Sequence, residues 1–535
     1  MKDTTKGTRA AARGLLAATA LVGVLHPLIY WRTYSGDAVI HLVFARNLLR
    51  GFPLRFNVGM TSSGETSMGF MLIVTAVMRV VGPLATLPVV KGLCGLCLYG
   101  TALATYRVGR LIGLRETWAG AAGCAFLLIP GNVYTGVSGM ENVVFALGAV
   151  GFAGGAVRAG WFSTDGRIAL REEVLLGLAA AALFWVRPEA MVVVAMLLAV
   201  RLVVRGWEGG TILVAAALSL AAVLYVGSYR HYAGEMPYGA GRARRVLSTF
   251  TGSWWVLGMP LSRSVALRLA GYGSVVGPAA VALVAAVRRR RLEVVALATV
   301  FFGVMALYGV DALPSVQFAR YSVYAWPFGL VAAGCGLQAM WDRNWRGLRA
   351  VWVVALAAAF AATAGWETRL RWEDGQVWSD GTALAEVERA PVLRDGTSAA
   401  LAHKLGLKDG EPARLAYAEV QNRYRLNDNF TVLSLDGITD TRTERYFCDG
   451  WVDHDGYLID SGADFVMNLP NYNGDRRRWS LERLEDAKPG ETLEHPGIRY
   501  TALDSGYIRV TRTLARAVDR PGGVCPKAMR SFDGQ

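Results

Sequence analysis

Apolar runs of roughly 15–20 residues, a length that reads as membrane-spanning, recur along this chain from Leu15 to Ala362. They fall at 15–31, 68–81, 89–106, 118–129, 143–157, 174–186, 190–200, 212–226, 267–287, 294–308, 321–340 and 351–362. Few soluble folds can bury so many. Only 18% of the 535 residues are charged, against about 25% in soluble domains. The expected fold class is therefore a polytopic α-helical membrane protein.

The net charge of +14 does not point to nucleic acid. The basic residues sit at the ends of apolar runs, which is the positive-inside pattern. Lys2, Lys6, Arg9 and Arg13 place the N-terminus in the cytoplasm. The basic start resembles a signal peptide, but no small-x-small cleavage site precedes Tyr30 and further runs follow, so a retained first helix is expected. The run RRRRLE at 288–293 and the run WDRNWRGLR at 341–349 mark two cytoplasmic loops. Counting from them places the loops 228–263 and 311–320, and everything after 362, outside the cytoplasm. If both 68–81 and 89–106 cross, the basic hinge Arg107, Arg110 and Arg115 falls on the wrong side. One of the two is therefore expected to be short or not to cross, which leaves about eleven crossings.

Two domains follow: a transmembrane domain over 1–366, with a first extracytoplasmic loop at 32–67, and an extracytoplasmic soluble domain over 367–535. The second is polar and broken by turns. The stretches 430–437 and 462–470 have strand-like content, and 399–407 and 479–487 read as helices, so α/β or α+β is expected. Cys94, Cys97, Cys124 and Cys335 lie in apolar runs and read as core. Cys448 and Cys525 lie in the polar region, where an oxidising compartment would permit a disulfide.

The loop 32–67 is polar although apolar runs flank it, and Asp37 stands near its start. Within it Val39, Ile40, Val43, Phe44, Leu48 and Leu49 recur at helical spacing, with His41, Arg46, Asn47 and Arg50 opposite. This predicts an amphipathic helix lying at the lipid–water boundary. Charge near lipid is costly and needs a reason. Asp37, Glu65, Glu141, Arg187, Glu189, Asp311 and Arg320 are such groups, and the topology puts all of them on the outer side. Arg187 and Glu189 read either as a salt bridge at a tight turn or as ligand contacts. Arg320 reads either as a phosphate contact, since guanidinium matches phosphate geometry, or as the partner of Asp311. None of the six histidines shows metal-ligand spacing, and Walker and dinucleotide-binding glycine patterns are absent. A preactivated lipid-borne substrate would remove the need for ATP.

The chain resembles the GT-C class of integral membrane glycosyltransferases, and within it the polyprenyl-phosphate-arabinose-dependent terminal arabinofuranosyltransferases. The residues that carry the resemblance are Gly36–Asp37, ARNLLRG at 45–51, RFNVG at 55–59, Glu65–Thr66–Ser67, Gly139–Met140–Glu141, Arg187–Pro188–Glu189, and Gly309–Val310–Asp311 with Arg320. The family often has two adjacent acids where this chain has Gly36–Asp37. Its tyrosine–threonine–serine–proline turn reads Glu65–Thr66–Ser67–Met68, and its proline–asparagine–threonine motif reads Pro237–Tyr238–Gly239.

The resemblance implies transfer of a sugar, first D-arabinofuranose from decaprenyl-phosphate-arabinofuranose, to a cell-envelope glycan. Mannose or aminoarabinose donors, or a protein acceptor, are the alternatives. Asp37 matches the catalytic acid and would act as general base. Donor contacts would come from Arg46, Asn47, Arg55, Asn57, Glu141, Arg187, Glu189, Asp311 and Arg320, and acceptor contacts from Glu65, Thr66, Ser67 and Trp451. No cofactor or metal is required, a divalent metal being the alternative. The expected partners are the lipid-linked donor, the glycan and membrane lipids, with no nucleic acid. The expected location is the inner (plasma) membrane, multi-pass, with the C-terminal domain outside. A transporter and a ligase of lipid-diphosphate polysaccharides are the rival classes.

Overall fold

A computed structural model describes residues 17, 20–28, 30–31, 36–60, 62, 64–164, 166–234, 263–312, 322–342, 358, 361–362, 365, 396–408, 410–417, 429–434, 447–448, 451–467, 488–503 and 507–519. The side chains of Asp311 and Trp451, all of Arg320, and the expected Cys448–Cys525 pairing, 237–239 motif, last span and 479–487 helix lie outside what is described.

Residues 20–28 are helical. Eleven described helices follow: α1 (Gly36–Leu49), α2 (Met68–Leu111), α3 (Glu116–Leu128), α4 (Pro130–Val137), α5 (Asn142–Arg158), α6 (Leu170–Val186), α7 (Ala190–Arg205), α8 (Gly209–Ala233), α9 (Arg263–Arg288), α10 (Leu292–Ala312) and α11 (Trp326–Asp342). Helix α2 joins the two runs at 68–81 and 89–106. It is broken at Gly82, which adopts φ 80° and ψ 164°, a conformation open to glycine, and Pro83 next to it supplies no N–H to the ladder. Helices α3 and α4 meet at a 62° bend, where Ile129 is extended ahead of Pro130.

Among the described residues, Met68–Leu111 and Gly209–Ala233 are long and apolar enough to cross a membrane, and the bent α3–α4 pair makes a third such unit. Asn142–Arg158 and the stretches Gly273–Arg288 and Leu292–Leu307 are apolar but shorter. Of the expected crossings, two or three thus stand among the described residues as spans by length and composition. Val80, Leu96, Leu178, Val203, Leu220 and Val223 point outward from these helices. Such a surface is unfavourable in water and suits lipid.

The C-terminal region is a mixed structure, as its sequence suggests. Helix α12 (Gly396–Leu405) precedes β1 (Ala413–Tyr417) and β2 (Phe430–Ser434). The hairpin β3 (Phe447–Cys448) and β4 (Trp451–Val452) follows, then α13 (His454–Ser461), β5 (Phe465–Met467), β6 (Thr492–His495), β7 (Ile498–Ala502) and β8 (Tyr507–Arg512). Six strands form one sheet in the order β2-β1-β5-β8-β7-β6, with β1 parallel to both β2 and β5 and the remaining pairs antiparallel.

Side chains on a strand alternate between the two faces of a sheet, and that alternation decides what this sheet packs against. Leu415, Val432 and Phe465 join the core of the helical region, together with Leu401 and Leu405 of α12. Their neighbours Ala416, Leu433 and Val466 join a second core, under α13, with Tyr457, Leu458 and Tyr500. One face of the sheet is therefore part of the helical body's own core.

Helix α1 departs from expectation. The pattern predicts an interfacial helix, but every side chain from Ala38 to Asn47 is buried, including the polar His41, Arg46 and Asn47; only Leu49 and Arg50 at its end are exposed. The reason is local polar compensation. The Asn47 amide donates to the carbonyls of Arg55 (2.8 Å) and Phe56 (3.1 Å), and Arg46 Nε reaches Asn47 Oδ1 at 3.4 Å. The loop after α1 thus folds back on the helix, which is walled in by protein.

Candidate functional site

Asp37 lies in the first turn of α1, where a carboxylate is favoured by the helix dipole. One turn on is His41, whose side chain leaves α1 toward two carboxylates. Its Nδ1 lies 2.8 and 3.0 Å from the Glu65 oxygens, and its Nε2 lies 3.0 Å from Glu141 Oε2. Glu141 is also held at Oε1 by Arg187 Nη1 at 2.7 Å, and Arg187 grips Glu189 with a second fork at 2.5 and 3.2 Å. The result is one unbroken chain, Glu65–His41–Glu141–Arg187–Glu189. Its members come from the turn before α2, from α1, from the start of α5 and from the break between α6 and α7.

Glu65 is fully buried, Glu141 and Arg187 nearly so, and Glu189 is partly exposed. Ionised carboxylates only accept hydrogen bonds, so both His41 nitrogens must donate, and the ring is an imidazolium. Burial opposes that charge, but the Glu65 and Glu141 carboxylates outweigh it and raise the His41 pKa to about 10.

The surrounding elements hold this arrangement in place. Glu65 Oε1 accepts the Ser67 N–H at 2.8 Å, closing the turn that starts α2, and the Tyr225 hydroxyl of α8 donates to Thr66 O at 2.7 Å. Phe70 stands edge-on to the His41 ring at 5.1 Å. Gly139, just before Glu141, has φ +83°, and a Cβ there would meet Ala38 at 3.3 Å and Lys91 at 3.4 Å. Glycine lets the Glu141 loop approach the first turn of α1, beside Asp37.

The structure thus joins Glu65, Glu141, Arg187 and Glu189 around the helix that bears Asp37. It places other expected site residues differently. Asn47 holds the 55–56 backbone, as described. The Asn57 amide donates to Val432 O at 2.7 Å and accepts from Val432 N at 3.0 Å, so it grips β2. Arg55 is half-buried. Arg187–Glu189 forms the tight-turn salt bridge of one reading, while its link to Glu141 carries it into the polar chain.

Two residues of this region escaped the sequence reading. His41 stood on what looked like a solvated face. Lys91 sits in an apolar run, is buried, and donates to Trp31 O with its ammonium over the Trp31 ring, 5.2 Å from the centroid. A lone lysine inside such a run is the signal that would have found it.

No protein-family model matches the chain, and no curated protein matches it. The fold is similar to several solved structures. The Archaeoglobus fulgidus oligosaccharyltransferase, in a complex with zinc and sulfate, is 12% identical with a TM-score of 0.48, covering 84% of this chain and 67% of its own. ArnT from Cupriavidus metallidurans, bound to undecaprenyl phosphate, is 15% identical with a TM-score of 0.49, covering 94% of this chain and 98% of its own. Arabinofuranosyltransferase AftD from Mycobacteria is 13% identical with a TM-score of 0.44, and the match spans 94% of this chain but 40% of that one.

A second buried ion pair lies apart from this site. Arg201 of α7 grips Glu173 of α6 with two bonds, 2.6 and 2.7 Å, and stacks 4.6 Å over the Trp161 ring. Arg205, one turn on, donates to the carbonyls of Ser163 and Gly166. These contacts lock the 160–166 loop. Among the described residues, no group of three or more His, Cys, Asp or Glu is arranged to hold a metal ion.

Proposed function

We propose that this chain is an integral membrane glycosyltransferase that moves a sugar from a polyprenyl phosphate to an acceptor hydroxyl. The supporting observation is the convergence of three distant sequence motifs, those of Glu65, Glu141 and Arg187–Glu189, on His41 of the Asp37 helix in one polar chain. All three are among the motifs on which the resemblance to the GT-C arabinofuranosyltransferases rests. Burying the Glu65 and Glu141 carboxylates is costly unless each is paired, and arrangements of this kind concentrate at functional sites.

In this reading Asp37 accepts the proton of the acceptor hydroxyl as that oxygen attacks the anomeric carbon. The bond from the anomeric carbon to the phosphate oxygen breaks, and the polyprenyl phosphate leaves already ionised, needing no proton. Guanidinium groups offset its charge; Arg46, Arg55 and Arg320 are the proposed ones. No metal is proposed, because those cations can serve the phosphate. Direct displacement inverts the anomeric centre, whereas simple retention would need a second carboxylate placed as a nucleophile. Asp311 and Trp451 are proposed donor and acceptor contacts.

The proposed donor is decaprenyl-phosphate-arabinofuranose and the acceptor a cell-envelope glycan. The site would face the outer side of the plasma membrane, with the C-terminal domain over it. The test is transfer by the full chain in nanodiscs, using short polyprenyl phosphates of arabinofuranose, mannose and aminoarabinose with glycan and peptide acceptors. Product from arabinofuranose supports the full reading. Product from another donor keeps the reaction and replaces the sugar. No product from any donor contradicts the reaction.

A further inference from the structure

The turn that the resembled family writes as tyrosine–threonine–serine–proline begins here with Glu65, and the structure shows what that acid meets. Glu65 is fully buried and both its oxygens face His41 Nδ1. A buried carboxylate needs a partner that offsets its charge, and His41, 24 residues away in sequence, is in direct contact with it.

We infer that His41 is a positioning residue: held between Glu65 and Glu141, it cross-braces the helix that carries Asp37 to the α2 turn and to the start of α5. The inference rests on Asp37 being the base of the proposed reaction. Asp37 and His41 are four residues apart, hence on one face of α1. Any rotation or slide of α1 that moves the Asp37 carboxylate must also move the His41 ring. That ring is pinned at both nitrogens, to partners anchored independently of α1. Glu65 is tied to its own turn through Ser67 N–H, the turn is tied to α8 through Tyr225, and Glu141 is tied to α6 through Arg187. The brace therefore transmits the positions of α2, α5, α6 and α8 to Asp37.

The charged groups around His41 set its pH window. Glu65 faces it from the α2 turn and Glu141 from the start of α5, with Arg187 behind Glu141 and Lys91 beside the same loop at Gly139; Asp37 shares α1. Phe70 supplies an apolar wall. The His41 pKa, about 10 in the fold, is above the ordinary value near 6.5. The stability that the brace adds is therefore fully present below about pH 6.5, declines above it and is lost as pH rises through about 10.

The test uses the full chain in nanodiscs, as wild type, His41→Gln, Glu65→Gln and the double variant. Melting temperature is followed from pH 6 to 11, with hydrogen exchange of the 36–49 amides and transfer kinetics. The expected wild-type melting temperature falls from about pH 6.5 and levels off near pH 10. Glu65→Gln moves the levelling point down by about one unit or more, since one adjacent charge shifts a pKa by about 1–3 units. His41→Gln removes this fall and speeds exchange in the first turns of α1. Turnover in His41→Gln falls about 100-fold, the scale of a misplacement near 1 Å, while donor KM stays within about twofold. Because Glu65 acts through His41, the double variant is no worse than His41→Gln alone. Coincident melting curves for wild type and His41→Gln, or a rise in donor KM with turnover unchanged, would overturn the inference. If wild type gives no product from any donor, the proposed reaction fails, and the melting and exchange curves still decide whether the brace exists.

Discussion

Asn57 and Val432 exchange two hydrogen bonds across 375 residues of sequence. The carboxamide donates to the Val432 carbonyl and accepts from its N–H, much as a neighbouring strand would on the edge of β2. Both residues are buried. The loop after α1 thus serves as the missing partner of a sheet edge, and the Asp37 helix is tied to the C-terminal sheet.

Removing that amide leaves a buried N–H and C=O without partners. Asn57→Leu is expected to destabilise the fold by about 2–4 kcal/mol and to raise hydrogen exchange at 430–434. Asn57→Asp keeps the acceptor but sets a carboxylate against the Val432 carbonyl, so it should rescue little. Differential melting with peptide-level exchange measures both.

The Arg201–Glu173 pair makes a second prediction. Arg201 is completely buried and Glu173 nearly so, so truncating one partner strands the other charge. Arg201→Met is expected to cost about 3–5 kcal/mol, and adding Glu173→Leu should recover most of the loss. Arg201 also lies 3.6 Å from Glu208; if the double variant melts as low as the single one, Glu173 is not the group that the lost charge strands. Because the pair lies apart from the Asp37 site, transfer per folded molecule should change little in the double variant.

Close packing at Gly69 gives a third. A Cβ there would lie 2.8 Å from the carbonyl carbon and oxygen of Trp185, which are backbone atoms with little room to shift. Gly69→Ala should destabilise by about 1–3 kcal/mol. It should also reduce transfer, because Gly69 follows the turn that holds Glu65. Comparing melting with turnover at a temperature where the variant is fully folded separates the two effects.

The apolar runs and basic loops were legible in the sequence because helix length and charge placement follow directly from the solvent that each segment must meet. Gly82 with Pro83 marks the break in α2, and the short motifs around Glu65, Glu141 and Arg187 were legible as out-of-place charge. Strand content at Phe430 and Phe465 was legible from their β-branched and aromatic neighbours. The burial of α1 was not, since periodicity records where polar residues lie but not whether distant partners will satisfy them. His41 looks solvated until Glu65 and Glu141 arrive from other segments. Asn57 likewise reads as a loop asparagine until the edge of β2, hundreds of residues later, is folded against it.

The measurement that tests the central claim most directly compares wild type and Asp37→Asn in nanodiscs with the same polyprenyl-phosphate sugar, reading donor binding and turnover together. The replacement keeps shape and removes the base. Donor affinity is expected to stay within about twofold while turnover falls by about 10²–10⁴, the usual contribution of a positioned base. Full turnover in Asp37→Asn would contradict the account.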